Sequence, residues 1–370
     1  MPNRVCFVCP HIYGYFNPSV GYTGGGAERQ IYLISTHLSD TFDVHVVVGD
    51  YGQPALEERE GVTLHRAYPL RDRRNIFQPI KHFWLLGRAM RRADAEIYVY
   101  RGSPRKAVAN YLWARMLSRK WIYNIANDAN ISTRPRSLAW PVRALFVHAL
   151  RNADGLIAQT THQQTLLQEH YDVASTVVPN GYPLADCYPP FEEREFFLWV
   201  GRLNRDQKRP HLFLDVAEKL PDKKFKLIGP KGDDDEYVEH LMERIGRLEN
   251  VEYRGTVPPD QISEYYKKAV ALVSTSKYEG FPNTFLEAWR VQTPVLSLSI
   301  DPRRYINVDE EYSGYCSDST SKAVLKCNEM VNMREVWRKV SMNCRDRFES
   351  ILSMKVTSNK YKNAILKFMC

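Results

Sequence analysis

The sequence predicts an α/β protein built from two parallel-sheet domains, and three observations carry that reading. Short apolar runs alternate with longer amphipathic ones, the signature of strand–helix repetition. The alternation restarts after a stretch, 180–192, that carries Pro183, Pro189 and Pro190. The 370 residues exceed what one ordinary core serves, and a hydrophobic content of 44% can fill two.

In the first half, residues 5–10 read as a strand. A glycine-rich loop follows, and then helical spacing of Ile31, Ile34 and Leu38 over 27–39. Strands are expected at 42–50, 61–68, 95–102, 120–128, 153–160 and 175–181. A helix at 79–93 places Phe83, Leu86 and Met90 on one face. The second half opens on a strand at 195–203 and a helix at 209–220, with Pro210 near the first turn, where its missing N–H costs nothing. Strands at 223–230, 251–257, 270–276 and 294–300 then alternate with helices at 235–248, 259–269 and 285–291. Helical patterns at 320–348 and 355–368 close the chain. The expected division is 1–184, 185–353, and a terminal helix 354–370 that packs back on the first domain.

Composition excludes several classes. A charged fraction of 25% is ordinary for a globular chain. No apolar run reaches the roughly 18 residues of a membrane helix, and the start turns polar too soon for a secretory signal. The cytoplasm is therefore the expected location. Seven scattered cysteines do not suggest a disulfide framework. Cys6 and Cys9 form a C-x-x-C without a second ligand pair, so they read as strand residues. The net charge of +8 is unevenly spread. Residues 66–120 hold fourteen Lys or Arg against Asp72, Asp94 and Glu96, a net +11, which leaves −3 for the rest. Such a patch suits an anionic partner or is a solvated helix face. No nucleic-acid motif accompanies it. The 79–93 helix mixes Phe83, Trp84, Leu85 and Leu86 with Lys81, Arg88, Arg91 and Arg92, which suits an anionic membrane surface.

Three constellations carry chemistry. Gly24-Gly25-Gly26-Ala27-Glu28 lies between a strand and a helix, where glycines admit a close ligand and helix-start amides favour phosphate; alone it is also an ordinary turn. Arg202 follows a strand in the Gly201-Arg202-Leu203 segment, and Lys208 comes six residues later. Two cations at the mouth of a parallel sheet suit a diphosphate, or are surface charges. In 276–288, a strand end, a tight loop and a helix start place Glu279 in the loop and Glu287 on the helix. Two carboxylates can accept from hydroxyls on different rings of one ligand, although Glu287 also fits a solvated helix position.

Taken together, GGGAER, VPNG (178–181), VGRL with Lys208, and TSKYEGFPNTFLEAW followed by PVLSLSIDP resemble the family 4 glycosyltransferases. These are retaining enzymes of the two-domain GT-B fold. The resemblance spans nearly the whole chain and is strongest over 175–302. It implies a GT-B fold, with two Rossmann-like domains facing across a cleft, the first on the acceptor side and the second binding the sugar nucleotide. It implies transfer of a hexose-type sugar from a UDP- or GDP-linked donor to a saccharide or polyprenyl-linked acceptor, with no cofactor and no catalytic metal. Under it, Glu279 accepts from hydroxyls of the transferred sugar near the reacting carbon, and Glu287 binds the ribose. Arg202 and Lys208 hold the diphosphate and stabilise it as it leaves. Gly25 and Gly26 let the first loop approach the phosphates. Gly280, Phe281, Asn283 and Thr284 contribute loop backbone to the donor, while Pro282 has no amide to offer. The family often places a histidine after a mid-sheet strand of the first domain. Here the stretch 123–128 has none; Asn127 stands there with Asp128 beside it, a pair that also suits a turn cap. A related epimerase, or a silent binding subunit of the same fold, is the alternative.

Overall fold

The computed structural model describes residues 3–21, 24–70, 77–306, 314–316 and 318–369. The chain divides into two compact units, Met1–Gly181 with Met354–Cys370, and Tyr182–Ser353.

The first unit runs β1 (Arg4–Val8), α1 (Tyr13–Phe16), α2 (Gly26–Leu38), β2 (Asp43–Asp50), β3 (Leu56–Arg59), β4 (Val62–Pro69), α3 (Gln78–Ala93), β5 (Ile97–Arg101), α4 (Pro104–Met116), β6 (Lys120–Asn124), α5 (Trp140–Arg151), β7 (Gly155–Ala158), α6 (Thr161–Tyr171) and β8 (Thr176–Val177). Its eight strands lie in the order β3-β4-β2-β1-β5-β6-β7-β8. All pairings are parallel except β3 with β4. Strands such as β1, β5 and β7 are buried almost end to end, as a sheet covered on both faces requires. Leu86, Ala89, Met90, Tyr111, Trp113, Phe146 and Leu167 fill one side with α3 to α6. Ile31, Ile34, Leu38, Tyr361 and Ile365 fill the other.

The second unit runs β9 (Phe196–Val200), α7 (Pro210–Glu218), β10 (Phe225–Ile228), α8 (Asp235–Gly246), β11 (Val251–Tyr253), α9 (Ile262–Lys268), β12 (Ala269–Ser274), α10 (Asn283–Trp289), β13 (Val295–Ser297), α11 (Arg303–Ile306), α12 (Thr320–Asn332) and α13 (Arg334–Leu352); α14 (Met354–Met369) returns to the first unit. Its sheet is fully parallel, in the order β11-β10-β9-β12-β13.

Several elements differ from the sequence reading. The helical pattern 320–348 is two helices separated at Met333. The strand expected over 120–128 stops at Asn124, and Asp128–Asn130 form a 3-10 turn. Helices α4, α5 and α6 and the edge strand β3 went unread. Helix α4 buries Val108, Tyr111, Trp113 and Ala114 around much of its circumference, so no single apolar stripe marks it. Cys6 and Cys9 are buried, with Cys6 on β1 and Cys9 just past its end, and neither is in a disulfide. Among the described residues no helix is long and apolar enough to cross a membrane.

Candidate functional site

In a parallel sheet, every loop leaving a strand's carboxyl end emerges on one edge, which is where ligands bind in such folds. Strands β9 and β12 are direct neighbours in the second sheet. The loop after β9 carries Arg202 and Lys208, and the loop after β12 carries Glu279. Residues 71 apart in sequence therefore meet: Lys208 Nζ lies 2.5 Å from Glu279 Oε1. Both side chains are largely shielded from solvent, so the pair is stronger than an exposed one.

The two loops are tied together around this pair. The Thr275 hydroxyl donates to the Lys208 carbonyl at 2.6 Å and accepts from the Trp199 indole N–H at 2.8 Å. The Lys277 amide donates to the Gln207 carbonyl at 2.7 Å, and the Gln207 side chain donates to the Tyr278 carbonyl at 3.2 Å. Arg209 has a left-handed backbone, φ +49°. Its guanidinium donates to the Thr275 carbonyl at 2.8 Å and also reaches Ser299 Oγ. Gly201 makes room for the lysine stem: a Cβ there would lie 3.3 Å from Lys208 Cδ and 3.1 Å from the Trp199 ring. Arg202 is exposed and, among the described residues, pairs with the more exposed Asp233, at 3.2 Å. Such a pair contributes little and is readily exchanged for a ligand.

Glu287 is not a solvated helix glutamate. Its Oε1 accepts from Tyr182 Oη and its Oε2 from Tyr266 Oη, both at 2.9 Å. Both tyrosines are buried. These two hydroxyls hold the carboxylate in one orientation. Gly280 and Phe281 are buried, and Asn283 and Thr284 are half-buried in the first turn of α10. The Tyr305 hydroxyl donates to the Gly280 carbonyl at 3.2 Å, and the Tyr305 ring packs on Phe281 at 4.7 Å.

In the first unit, Gly26 opens α2 and Gly25 caps it. The Gly25 amide donates to the Glu28 carboxylate at 2.8 Å, the half of a capping box that a glycine N-cap can form. Gly24 is the glycine that sterics require: a Cβ would stand 2.7 Å from Glu28 Cβ and 2.9 Å from the His11 carbonyl. A Cβ on Gly25 would find its nearest neighbour, a Glu28 carboxylate oxygen, at 3.6 Å, so this side of the loop is open to a ligand. Burial and the nearby Lys106 hold His11 below its usual range, and Glu28 opposes them. Asn127 accepts from the Asn130 amide at 3.2 Å and so caps the 3-10 turn. Asp128 accepts from Gln163 Nε2 at 2.9 Å and lies 3.8 Å from His162 Nε2. A histidine does stand beside Asp128, but it comes from the start of α6, 34 positions later in the sequence.

The partners of Glu287 and Asp128 were missed by sequence reasoning. Tyr182 directly follows the VPNG segment and opens the second unit, and His162 lies at the start of α6, after β7. Neither carries a spacing signal linking it to its carboxylate.

Comparison with known proteins agrees with this geometry. Residues 24–186 match the Glycosyltransferase Family 4 model, and residues 188–345 match Glycosyl transferases group 1. A D-inositol 3-phosphate glycosyltransferase of Corynebacterium urealyticum is 29% identical over 176 residues, covering 40% of this chain and 41% of that one. The amylovoran biosynthesis glycosyltransferase AmsD of Erwinia amylovora is 26% identical over 292 residues, 74% and 77% of the two chains. The chain spans about two fifths of the length of the first curated relatives it matches. Among solved structures, Anabaena HepE in complex with UDP and glucose superposes with a TM-score of 0.77 at 15% identity, over 98% of this chain and 99% of that one. With the two family models matching in succession and the fold shared end to end, the chain belongs to glycosyltransferase family 4 and has the GT-B fold.

Proposed function

We propose that the chain transfers a hexose-type sugar from a UDP- or GDP-linked donor to a saccharide or polyprenyl-linked saccharide, with retention at the anomeric carbon. The observation that carries this reading is the convergence of Lys208, Glu279 and Arg202 at the carboxyl edge of the second sheet. Breaking the sugar–phosphate bond builds positive charge on the ring and negative charge on the leaving diphosphate. Lys208 and Arg202 meet the second, and preorganised charge of this kind is often the largest catalytic contribution. Glu279 accepts from sugar hydroxyls beside the reacting carbon, and Glu287, fixed by two tyrosines, accepts from the ribose. The amides and glycine surface of 24–26 and the Asp128–His162 pair serve the sugar and the acceptor. Two protein cations at the diphosphate do the work a metal does elsewhere, so activity is expected to survive EDTA. The UDP and glucose bound to HepE support the donor class, and the role of AmsD in amylovoran biosynthesis supports a surface-glycan acceptor.

The test is a screen of UDP- and GDP-sugars for thermal stabilisation, since a ligand that binds only the folded state raises its melting point. Sugar transfer and the anomeric configuration of the product are then followed by NMR. Lys208→Ala and Arg202→Ala should each lower turnover on the order of 100-fold with the fold intact. Unchanged turnover in both variants, or stabilisation by no nucleotide, removes this reading.

A further inference from the structure

We propose that the outer surface of α3 and α5 is a docking surface for an anionic lipid bilayer, with Trp140 and Trp84 inserted at the headgroup level. Binding itself is independent of the catalytic reading. Only the corollary, that the acceptor is lipid-linked, rests on it.

The structure moves this surface away from the basic stretch read in the sequence. Of residues 66–120, Arg71, Asp72, Arg73 and Arg74 lie outside the described residues. Much of the remaining charge is spent within the first unit. Arg101 is buried and donates to Asn180 at 2.9 Å. Arg115 pairs with Asp154 at 3.0 Å and Arg119 with Asp94 at 2.7 Å. Lys120 donates to carbonyls of Phe368 and Met369 on α14. What faces solvent is a layer of helices.

Helices α3, α4 and α5 pack side by side on one face of the sheet. Together they contain nine Lys or Arg and no Asp or Glu. A surface built only for solubility intersperses both signs. The layer also exposes large apolar side chains: Trp140 is 79% exposed, Phe77 65%, Ile80 58% and Trp84 56%. Along α5, Trp140, Arg143, Ala144, Val147, His148 and Arg151 line an open hollow of about 430 Å³, so an indole, a valine and two guanidiniums share one surface. Indoles with neighbouring arginines suit the bilayer interface, where an apolar ring and a cation both find partners.

Topology gives the surface a direction. A helix that returns from one parallel strand to the next starts at the carboxyl edge of the sheet. Phe77, Ile80 and Trp84 occupy the start of α3, and Trp140 is the first residue of α5. Within the first unit these side chains therefore gather at the edge that carries Gly24–Gly26 and Asp128. A membrane gripped there holds a lipid-linked head group close to that loop. Helix α14, on the opposite face, carries lysines but no exposed aromatic ring, and so supplies an internal control.

The test is co-sedimentation of the full chain with vesicles of phosphatidylcholine, with and without phosphatidylglycerol, in the absence of any sugar nucleotide. The chain should bind the anionic vesicles and not the neutral ones. Trp140→Ala with Ile80→Ser should weaken partition roughly tenfold. Arg143→Glu with Arg151→Glu should weaken it on the order of 100-fold. Lys355→Glu with Lys360→Glu, the same charge change on α14, should leave it within about twofold. Thermal melts confirm that each variant is folded. Equal binding to neutral vesicles, undiminished binding of the arginine variant, or retention on heparin without vesicle binding each overturns the proposal. A chain that binds anionic vesicles but transfers no sugar keeps this inference and loses the catalytic one.

Discussion

Replacing Glu279 with glutamine should tighten the binding of a bare nucleoside diphosphate while abolishing most transfer. Glu279 compensates the Lys208 ammonium at 2.5 Å. A phosphate oxygen that accepts from the same Nζ at hydrogen-bond distance would stand about 5 Å from the Glu279 carboxylate. Two like charges at ~5 Å, in surroundings midway between surface and water, repel by about 1.7 kcal/mol. The amide keeps the side-chain shape and removes that repulsion, so UDP or GDP should bind roughly tenfold more tightly to Glu279→Gln. The whole donor behaves differently, because its sugar hydroxyls lose a charged acceptor, and turnover should fall on the order of 100-fold. Titration calorimetry with UDP and GDP reads the first effect, and initial-rate kinetics the second. A folded Glu279→Gln variant that binds neither diphosphate more tightly than the native chain refutes a diphosphate held by Lys208.

Other residues make further predictions. Arg209→Gly should be about 1 kcal/mol more stable than Arg209→Ala, because only the alanine keeps the cost of a left-handed backbone; equal or reversed melting points would show that φ +49° carries no strain. His45 Nδ1 and His65 Nε2 lie 2.7 Å apart in the first unit, where burial pushes His65 down to about 3 and lowers His45 as well. The neutral rings contribute their full stability above the unfolded value near 6.5 and lose it as pH falls towards the folded values, on the order of 1.4 kcal/mol per pH unit for His65. Melting points from pH 7.5 to pH 5 should therefore fall more steeply in the native chain than in His45→Gln/His65→Gln, and parallel curves would contradict this. Tyr266→Phe removes a donor that fixes Glu287. It should raise KM for the nucleotide sugar with kcat within about twofold, the pattern of a lost uniform binding contact; a fall in kcat at constant KM would argue against a ribose contact.

The fold was legible in the sequence wherever one strand or helix carried its own period. Residues 27–39 and 235–248 show a clean helical stripe, and both are helices whose buried residues follow it. Helix α4 was not legible because it is buried on several sides; α5 and α6 each bury one narrow face, Phe146, Ala149 and Leu150 in the first and Gln163, Leu167 and Tyr171 in the second, and the second is interrupted by a glutamine. For the site, the motif residues were legible as a set, while their partners were not. Tyr182 and Tyr266 reach Glu287 from 105 and 21 positions away, and only the folded sheet places them there. The histidine missing from 123–128 is a similar case: His162 reaches Asp128 from the next strand's loop, because β6 and β7 are neighbours.

The pairings within the site also rank its residues by how readily each can turn to a ligand. Among the described residues Arg202 gives up an exposed contact with Asp233, a pair worth little in water. Lys208 must leave or share a shielded carboxylate, in a loop held by Thr275, Trp199 and Arg209. Glu287 is held in place by the hydroxyls of Tyr182 and Tyr266. Under the proposed function, Arg202 is the residue for capture of the donor, Glu287 a fixed reference for the nucleoside, and Lys208 the cation whose charge is released when a sugar's hydroxyls take over Glu279. On that logic, a diphosphate alone meets a half-neutralised lysine, whereas a diphosphate carrying its sugar frees the lysine by occupying its partner. The same exchange of partners that admits the donor then leaves the full lysine charge facing the bond that must break.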